Sequence, residues 1–309
     1  IEQRDPTTSG HSLRVSQLTC GLAEATDKVT TGPYADLHFN REQMKEIRYA
    51  GLLHDFGKVG VREEVLVKAK KLYPLQLDIV QQRFDYVRKA LEADYAKRKI
   101  ESFLRANREE ALETVKMLDQ EYQMRLAELE DYLQFILQVN EPTVLPEGKF
   151  DKLLEIAQRT YFDSKGNERN YINPGEVRFL SIPKGSLDPD ERKQIESHAE
   201  QSFLFLRQIP WNKEVGKIPV IARSHHELLD GSGYPYQLKG EQIAPQTRMM
   251  TIADIFDALT ASDRPYKRAV PLERALNILG DMMKHGQLDP VLFQLFIDAK
   301  VYQRTTRPA

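Results

Sequence analysis

Apolar residues recur at three- and four-residue intervals through most of this chain, a spacing that predicts helices. Leu13, Val15, Leu18, Leu22 and Ala25 mark one from His11 to about Asp27. After a loop over Thr30–His38 containing Gly32 and Pro33, a second runs from about Glu42 to His54, with Ile47, Ala50 and Leu53 on one side. Gly57 and Gly60 end it. Residues 75–141 hold no glycine or proline and are dense in Glu, Lys, Arg and Gln. Val80, Phe84, Val87, Leu91 and Tyr95, and then Tyr122, Leu126, Leu129, Leu133 and Ile136, follow coiled-coil spacing. A continuous rod of roughly 65 residues would reach about 100 Å at 1.5 Å per residue, and the chain would then need to return. Two antiparallel helices turning near Asn107 are therefore expected.

Beyond them a short helix is expected around Asp151–Thr160, followed by turn-rich pieces, Ser164–Asn167 and Asn173–Gly175, with room for short strands. Asp188-Pro189-Asp190-Glu191 reads as a helix start, with Asp188 as N-cap, Pro189 at N1 and Glu191 at N3. That helix carries His198. The next, from about Ile218, is expected to carry His225 and His226 and to stop at Asp230-Gly231-Ser232-Gly233. Helices over Thr247–Ala261 and Leu272–Lys284 complete an all-α pattern without internal repeats or low-complexity tracts.

With 309 residues the chain can bury a sizeable core. A net charge of -2 predicts no bulk attraction to a nucleic acid polymer or a membrane. The single cysteine, Cys20, excludes an intrachain disulfide framework and agrees with a cytoplasmic location. No stretch approaches the roughly 18–20 apolar residues of a membrane span. The chain opens on Ile1-Glu2-Gln3-Arg4-Asp5-Pro6, with neither Met nor signal peptide, and an upstream sensory or receiver domain is expected.

The chemistry concentrates at Leu52-Leu53-His54-Asp55-Phe56-Gly57-Lys58. An imidazole beside a carboxylate suits Fe, Mn or Zn, but taken alone the pair reads more readily as a solvated helix end. His225-His226, followed by Glu227 and Asp230, is harder to read as a set of solvated side chains. Consecutive histidines can serve different ions of a two-metal site that clamps a phosphate and shares a hydroxide. Asp254 lies in an apolar run, so it faces solvent, has a hydrogen-bonding partner or binds a metal. Asp257, three residues on, shares its face.

Taken together, these stretches resemble the HD-GYP phosphodiesterases, a branch of the HD metal-dependent phosphohydrolases. The matching pieces are Gly10–Val15, the His54-Asp55-Phe56-Gly57-Lys58 stretch, the His198 helix, His225–Pro235, Ile252–Thr260 and Arg264-Pro265-Tyr266-Lys267, in the family's order. The resemblance implies an all-α HD-domain bundle with a C-terminal GYP extension over residues 1–74 and 181–309, interrupted by a helical insertion over 75–180. It implies a binuclear centre of two divalent ions, iron or manganese with zinc also accepted by such ligands, held by His54, Asp55, His198, His225, His226 and Asp254. Asp55 would bridge the ions and Lys58 would contact the scissile phosphate. Gly233, Tyr234 and Pro235 would lie near bound cyclic di-GMP, with Asp257, Arg264 and Lys267 contacting its guanine or phosphates.

The implied activity is hydrolysis of cyclic di-GMP by a metal-bridging hydroxide, with pGpG or GMP as the end product. The rivals are a catalytically silent cyclic di-GMP sensor or signalling scaffold, and a phosphodiesterase for another nucleotide, including another cyclic dinucleotide. Thr7 stands where some members have a glutamate that helps a third metal, so two metals and a structural or ligand-supporting role for His11 are expected. Leu228 replaces a basic residue common after His-His-Glu. The insertion's pattern suits signalling, homodimerisation or a lid.

Overall fold

The first helix does form on the apolar spacing. In the computed structural model, which describes residues 6–143, 149–262 and 269–305, α1 (Pro6–Thr26) buries Val15, Leu18 and Leu22. α2 (Arg41–Leu53) starts at Asn40, whose side chain and that of Gln43 each accept the other's backbone N–H at 2.9 Å. Such reciprocal caps satisfy donors that the first turn leaves open. A 3-10 helix, Phe56–Gly60, and the short α3 (Glu63–Leu66) follow.

Contacts divide the chain into two units, residues 1–67 with 191–309 and residues 68–190. The second is built on a helical hairpin. α4 (Pro74–Arg105) and α5 (Arg108–Val139) turn back on each other at Ala106-Asn107, where the Asn107 side chain accepts from the N–H groups of Glu109 and Glu110 at 3.1 and 3.0 Å. The antiparallel register shows in Arg88–Glu130 at 2.9 Å, Arg98–Glu121 at 3.2 Å and the Lys99–Asp119 pair. Exposed ion pairs each contribute about 0–1 kcal/mol, so the apolar seam holds the hairpin. Val80, Phe84 and Val87 of α4 meet Leu129, Leu133 and Ile136 of α5 there.

α6 (Lys149–Gln158) adds Leu153 and Ile156 to this core. β1 (Thr160–Phe162) and β2 (Glu168–Asn170) pair antiparallel, with Tyr161 opposite Arg169. α7 (Pro174–Leu180) is tied to α4 by Arg83, whose guanidinium donates twice to Glu176, at 2.8 and 3.0 Å.

α8 (Pro189–Leu206) leads into the remainder of the first unit, with Asp188 Oδ1 accepting the Asp190 N–H at its start, at 2.8 Å. Then come α9 (Ile218–Arg223), α10 (Pro245–Thr260), α11 (Leu272–Lys284) and α12 (Pro290–Asp298). The first unit's core joins Val15, Leu18 and Leu22 to Ile47 and Ala50 of α2, Ile252 and Phe256 of α10, Leu279 of α11 and Phe296 of α12. α12 is short and apolar and escaped the sequence reading. The structure also ends α9 at Arg223, so His225 and His226 lie in the turn after it and not on the helix expected to carry them. Among the described residues no helix is long and apolar enough to cross a membrane.

Candidate metal centre

Where α2 stops, His54 is its C-cap and Asp55 begins the next turn. That turn packs directly onto α8. The Gly57 N–H donates to Ser202 Oγ at 2.8 Å, and the same hydroxyl donates to the His54 carbonyl at 2.7 Å. A Cβ on Gly57 would lie 2.0 Å from the His198 carbonyl oxygen, so only glycine allows this approach. Gly57 thus brings the His54-Asp55 turn against the helix that carries His198. From α10, Thr251 Oγ1 donates to the His225 carbonyl at 2.9 Å, while Asp254 projects one turn later.

Three imidazoles are oriented in the same way. Nδ1 of His54, His198 and His225 donates to the carbonyl three residues back, Gly51, Ile195 and Ala222, at 2.7, 2.6 and 2.6 Å. Fixing the proton on Nδ1 leaves Nε2 as a lone pair turned inward, as metal-ligating histidines require. Asp55 lies between two of these rings, with Oδ2 3.3 Å from His54 Nε2 and Oδ1 3.3 Å from His198 Nε2. Asp254 Oδ1 is 3.9 Å from His54 Nε2, and its Oδ2 is 3.7 Å from His226 Nδ1. Candidate ligand atoms of His198, His225 and His226 all fall within 4.8 Å of one another, as do those of His11, His54 and Asp55.

The charge state suits cations. Burial holds His198 and His225 below the ordinary imidazole range and lowers His226 to about 3, so all three are neutral at pH 7. Burial pushes the other way on Asp55, but Lys58 and the surrounding imidazoles outweigh it and hold the carboxyl well below its usual range. Asp254 is lowered against the same burial penalty, chiefly by its hydrogen bond to His11. His54 Nε2 is buried without a hydrogen-bond partner, and Asp55 Oδ2 is held by its ion pair with Lys58. Neutral imidazoles, two carboxylates and an orphaned inward-facing imidazole nitrogen form a site that divalent metal ions fit.

His11 lies closer to this centre than a purely structural role requires. Its Nε2 is 3.0 Å from Asp254 Oδ1 and 3.6 Å from Asp55 Oδ2, and its Nδ1 is 2.7 Å from Asp257 Oδ2. Burial disfavours its charge, yet the hydrogen bonds to Asp254 and Asp257 raise it to about 9. Asp257, one of the expected substrate contacts, is buried and also accepts from Arg14 at 2.6 and 3.1 Å. Lys58 Nζ is 2.8 Å from Asp55 Oδ2. Arg264 and Lys267 lie outside the described residues.

The Gly233-Tyr234-Pro235 loop closes one side. The Tyr234 ring lies 4.6 Å from that of His226 and 6.4 Å from that of His198, and its peptide bond to Pro235 is cis. Glu227, 1% exposed, accepts the N–H groups of Tyr236 and Leu238 at 2.7 and 2.9 Å and so fixes the loop. Arg223 stacks between the rings of Phe203 and Tyr236, at 4.3 and 4.6 Å. The sequence named Glu227 as an acid beside two histidines but not as a loop anchor. Ser202 and Thr251 carried no signal, because their partners are remote in sequence.

The HD domain family matches residues 8–145 and again residues 171–292. Over 109 residues the chain is 39% identical to the 3'3'-cGAMP-specific phosphodiesterase 3 of Vibrio cholerae, covering 35% of this chain and 23% of that protein. It is 41% identical over 75 residues to a cyclic di-GMP phosphodiesterase of Pseudomonas aeruginosa, 24% of this chain and 17% of that protein. A cyclic di-GMP phosphodiesterase of Thermotoga maritima matches at 39% over 99 residues, 32% of this chain and 26% of that protein. The matches thus span about a quarter of these relatives, or less.

Proposed function

The chain belongs to the HD domain family, in its HD-GYP branch, and from that premise we propose that it is a metal-dependent phosphodiesterase hydrolysing cyclic di-GMP to pGpG and onward to GMP. The reading rests on one observation above the others. His54, His198 and His225 present inward lone pairs around Asp55 and Asp254, with Lys58 at the edge. His54, Asp55, His198, His225, His226 and Asp254 would hold two ions, iron or manganese, with Asp55 shared between them. Bound there, the ions supply Lewis acidity toward a phosphoryl oxygen and an acidified water as nucleophile.

The chain's own groups do the rest. Lys58, its side chain 20% exposed, is placed to exchange its contact with Asp55 for a non-bridging phosphate oxygen. A positive charge there stabilises charge that grows on the phosphoryl group. Burial raises the Tyr234 phenol, so it stays protonated and can donate a hydrogen bond while its ring covers His226. Asp257 orients His11, and Arg264 and Lys267 serve as substrate contacts. Residues 1–74 and 181–309 form the catalytic part, and the insertion serves assembly or regulation.

A second reading keeps the chemistry and changes the substrate to 3'3'-cGAMP. It is favoured by the similarity to a 3'3'-cGAMP-specific phosphodiesterase. Turnover of both nucleotides by protein loaded anaerobically with Fe(II) or Mn(II), beside His54→Ala and Asp55→Ala, tests the proposal. Cyclic di-GMP should be cleaved at the higher kcat/KM, and both variants should lose activity. Preference for 3'3'-cGAMP would replace the substrate. Binding without turnover in metal-replete protein would leave the sensor scaffold.

A further inference from the structure

Leu13, Gln17, Cys20 and Glu24 fall on the face of α1 opposite His11. Between that face, α2 and the C-terminal turn Val301–Arg304 opens a cleft of about 650 Å³. Its lining sets the cations Arg41, Lys45, Arg48 and Arg304 against one carboxylate, Glu24. Glu24 is taken by Arg304 at 2.7 Å, and Lys45 by Glu42 at 2.6 Å. Among the described residues, Arg41 and Arg48 have no ion-pair partner. A net charge of -2 for the whole chain makes this concentration local.

The placement of Arg41 also runs against helix electrostatics, which Glu42 in the same turn partly offsets. Arg41 is the first residue of α2, and Lys45 and Arg48 follow on the next two turns of the same face. A helix N-terminus carries partial positive charge and favours anions. Local conflicts of this kind concentrate where a function compensates them.

We propose that this cleft binds a phosphate ester, whose phosphate is held by Arg41 and Arg48 while its uncharged body rests on Leu13, Met44 and Cys20. Guanidinium forks match phosphate oxygens in pairs, and the cleft is of small-molecule size. The site is linked to the metal centre through its floor. α1 and α2 cross so closely there that a Cβ on Gly51 would lie 2.7 Å from Ser16 Cα. Ser16 Oγ donates to the Arg48 carbonyl at 3.0 Å, and the Gly51 carbonyl accepts from His54 Nδ1 at 2.7 Å. Binding in the cleft does not depend on the metal reading above.

Cys20, the chain's single cysteine, lines the cleft and provides a local reporter. Burial, with Glu24 nearby, pushes its thiol up to about 11, so alkylation by iodoacetamide is followed at mildly alkaline pH on metal-loaded protein. Adenosine 5'-monophosphate should slow the reaction, and equally so in His54→Ala, which separates the cleft from phosphate binding at the metals. Arg41→Ala and Arg48→Ala should each raise the half-protecting concentration about tenfold, the scale of a charge-assisted hydrogen bond. Protection by phosphatidylglycerol vesicles, absent with phosphatidylcholine alone and with the nucleotide, would keep the phosphate site and make a lipid headgroup its source. No protection by either probe, or protection unchanged in both arginine variants, overturns the site.

Discussion

Arg83 and Glu176 in the second unit, and His54 and Asp55 in the first, are all polar groups withdrawn from water, and their surroundings differ. Arg83 meets Glu176 with two parallel hydrogen bonds and donates a third to the Tyr171 carbonyl, while Glu176 also accepts the Asn173 N–H at 2.7 Å. That network is closed. His54 Nε2 is left without a hydrogen bond, and Asp55 and Asp254 rely on Lys58 and His11 for opposing charge. Buried pairs of the first kind hold a fold in one arrangement. Open clusters of the second kind reduce stability and create affinity for whatever completes them.

Three experiments can break or sharpen that contrast. The largest effect belongs to the open cluster. Asp55→Ala should lower turnover about 10³-fold or more. It should also abolish the rise in Tm that Mn(II) gives the wild type by binding only the folded state. A variant that keeps its Mn(II)-dependent rise would show that Asp55 is not part of the metal site. Glu176→Gln comes next. Breaking a buried bidentate pair leaves Arg83 uncompensated and should cost about 3 kcal/mol in denaturant unfolding, with or without metal. A cost below about 1 kcal/mol would mean that the closed network is not what stabilises the second unit.

The smallest effect is the pH dependence of the metal-free protein. His198, His225 and His226 have folded-state values below the ordinary 6.5, that of His226 at about 3. The unfolded chain therefore binds more protons as pH drops below 6.5, and stability is lost progressively toward pH 3. The loss between pH 7 and pH 6 should be roughly 1–2 kcal/mol, and bound metal should reduce it. His11 acts in the opposite sense. Raised to about 9, it stabilises fully below pH 6.5 and loses that contribution as pH rises through 9. A metal-free protein equally stable at pH 6 and pH 7 would contradict burial of neutral imidazoles.

Much of this molecule was legible without coordinates. Val80, Phe84 and Val87 announced a buried helical face, Asn107 marked the hairpin turn, and Asp188-Pro189 marked the start of α8. These features are local: periodicity, caps and turn residues act within a few positions of themselves. Donor types were equally plain, and the family matches agree with the HD-domain reading. The site's assembly was less legible. His225 and His226 followed a helical pattern in sequence, yet they sit in a turn whose His225 carbonyl is held by Thr251 from another helix. His11 was assigned a supporting role, and packing against Asp254 and Asp257 brought it into the cluster.

By itself, then, the sequence determined most of the long helical segments, though not α12 or the end of α9, together with which side chains are available as donors and which family they resemble. Only the tertiary structure decided which nitrogen of each imidazole faces inward, that Gly57 must be bare for α8 to approach, and that Glu227 spends its carboxylate on backbone N–H groups. The reason is physical. Helix formation depends on neighbours three and four residues away, whereas a metal-binding cluster depends on groups joined across 100 residues or more, such as Ser202 and His54, and no periodic pattern records those contacts.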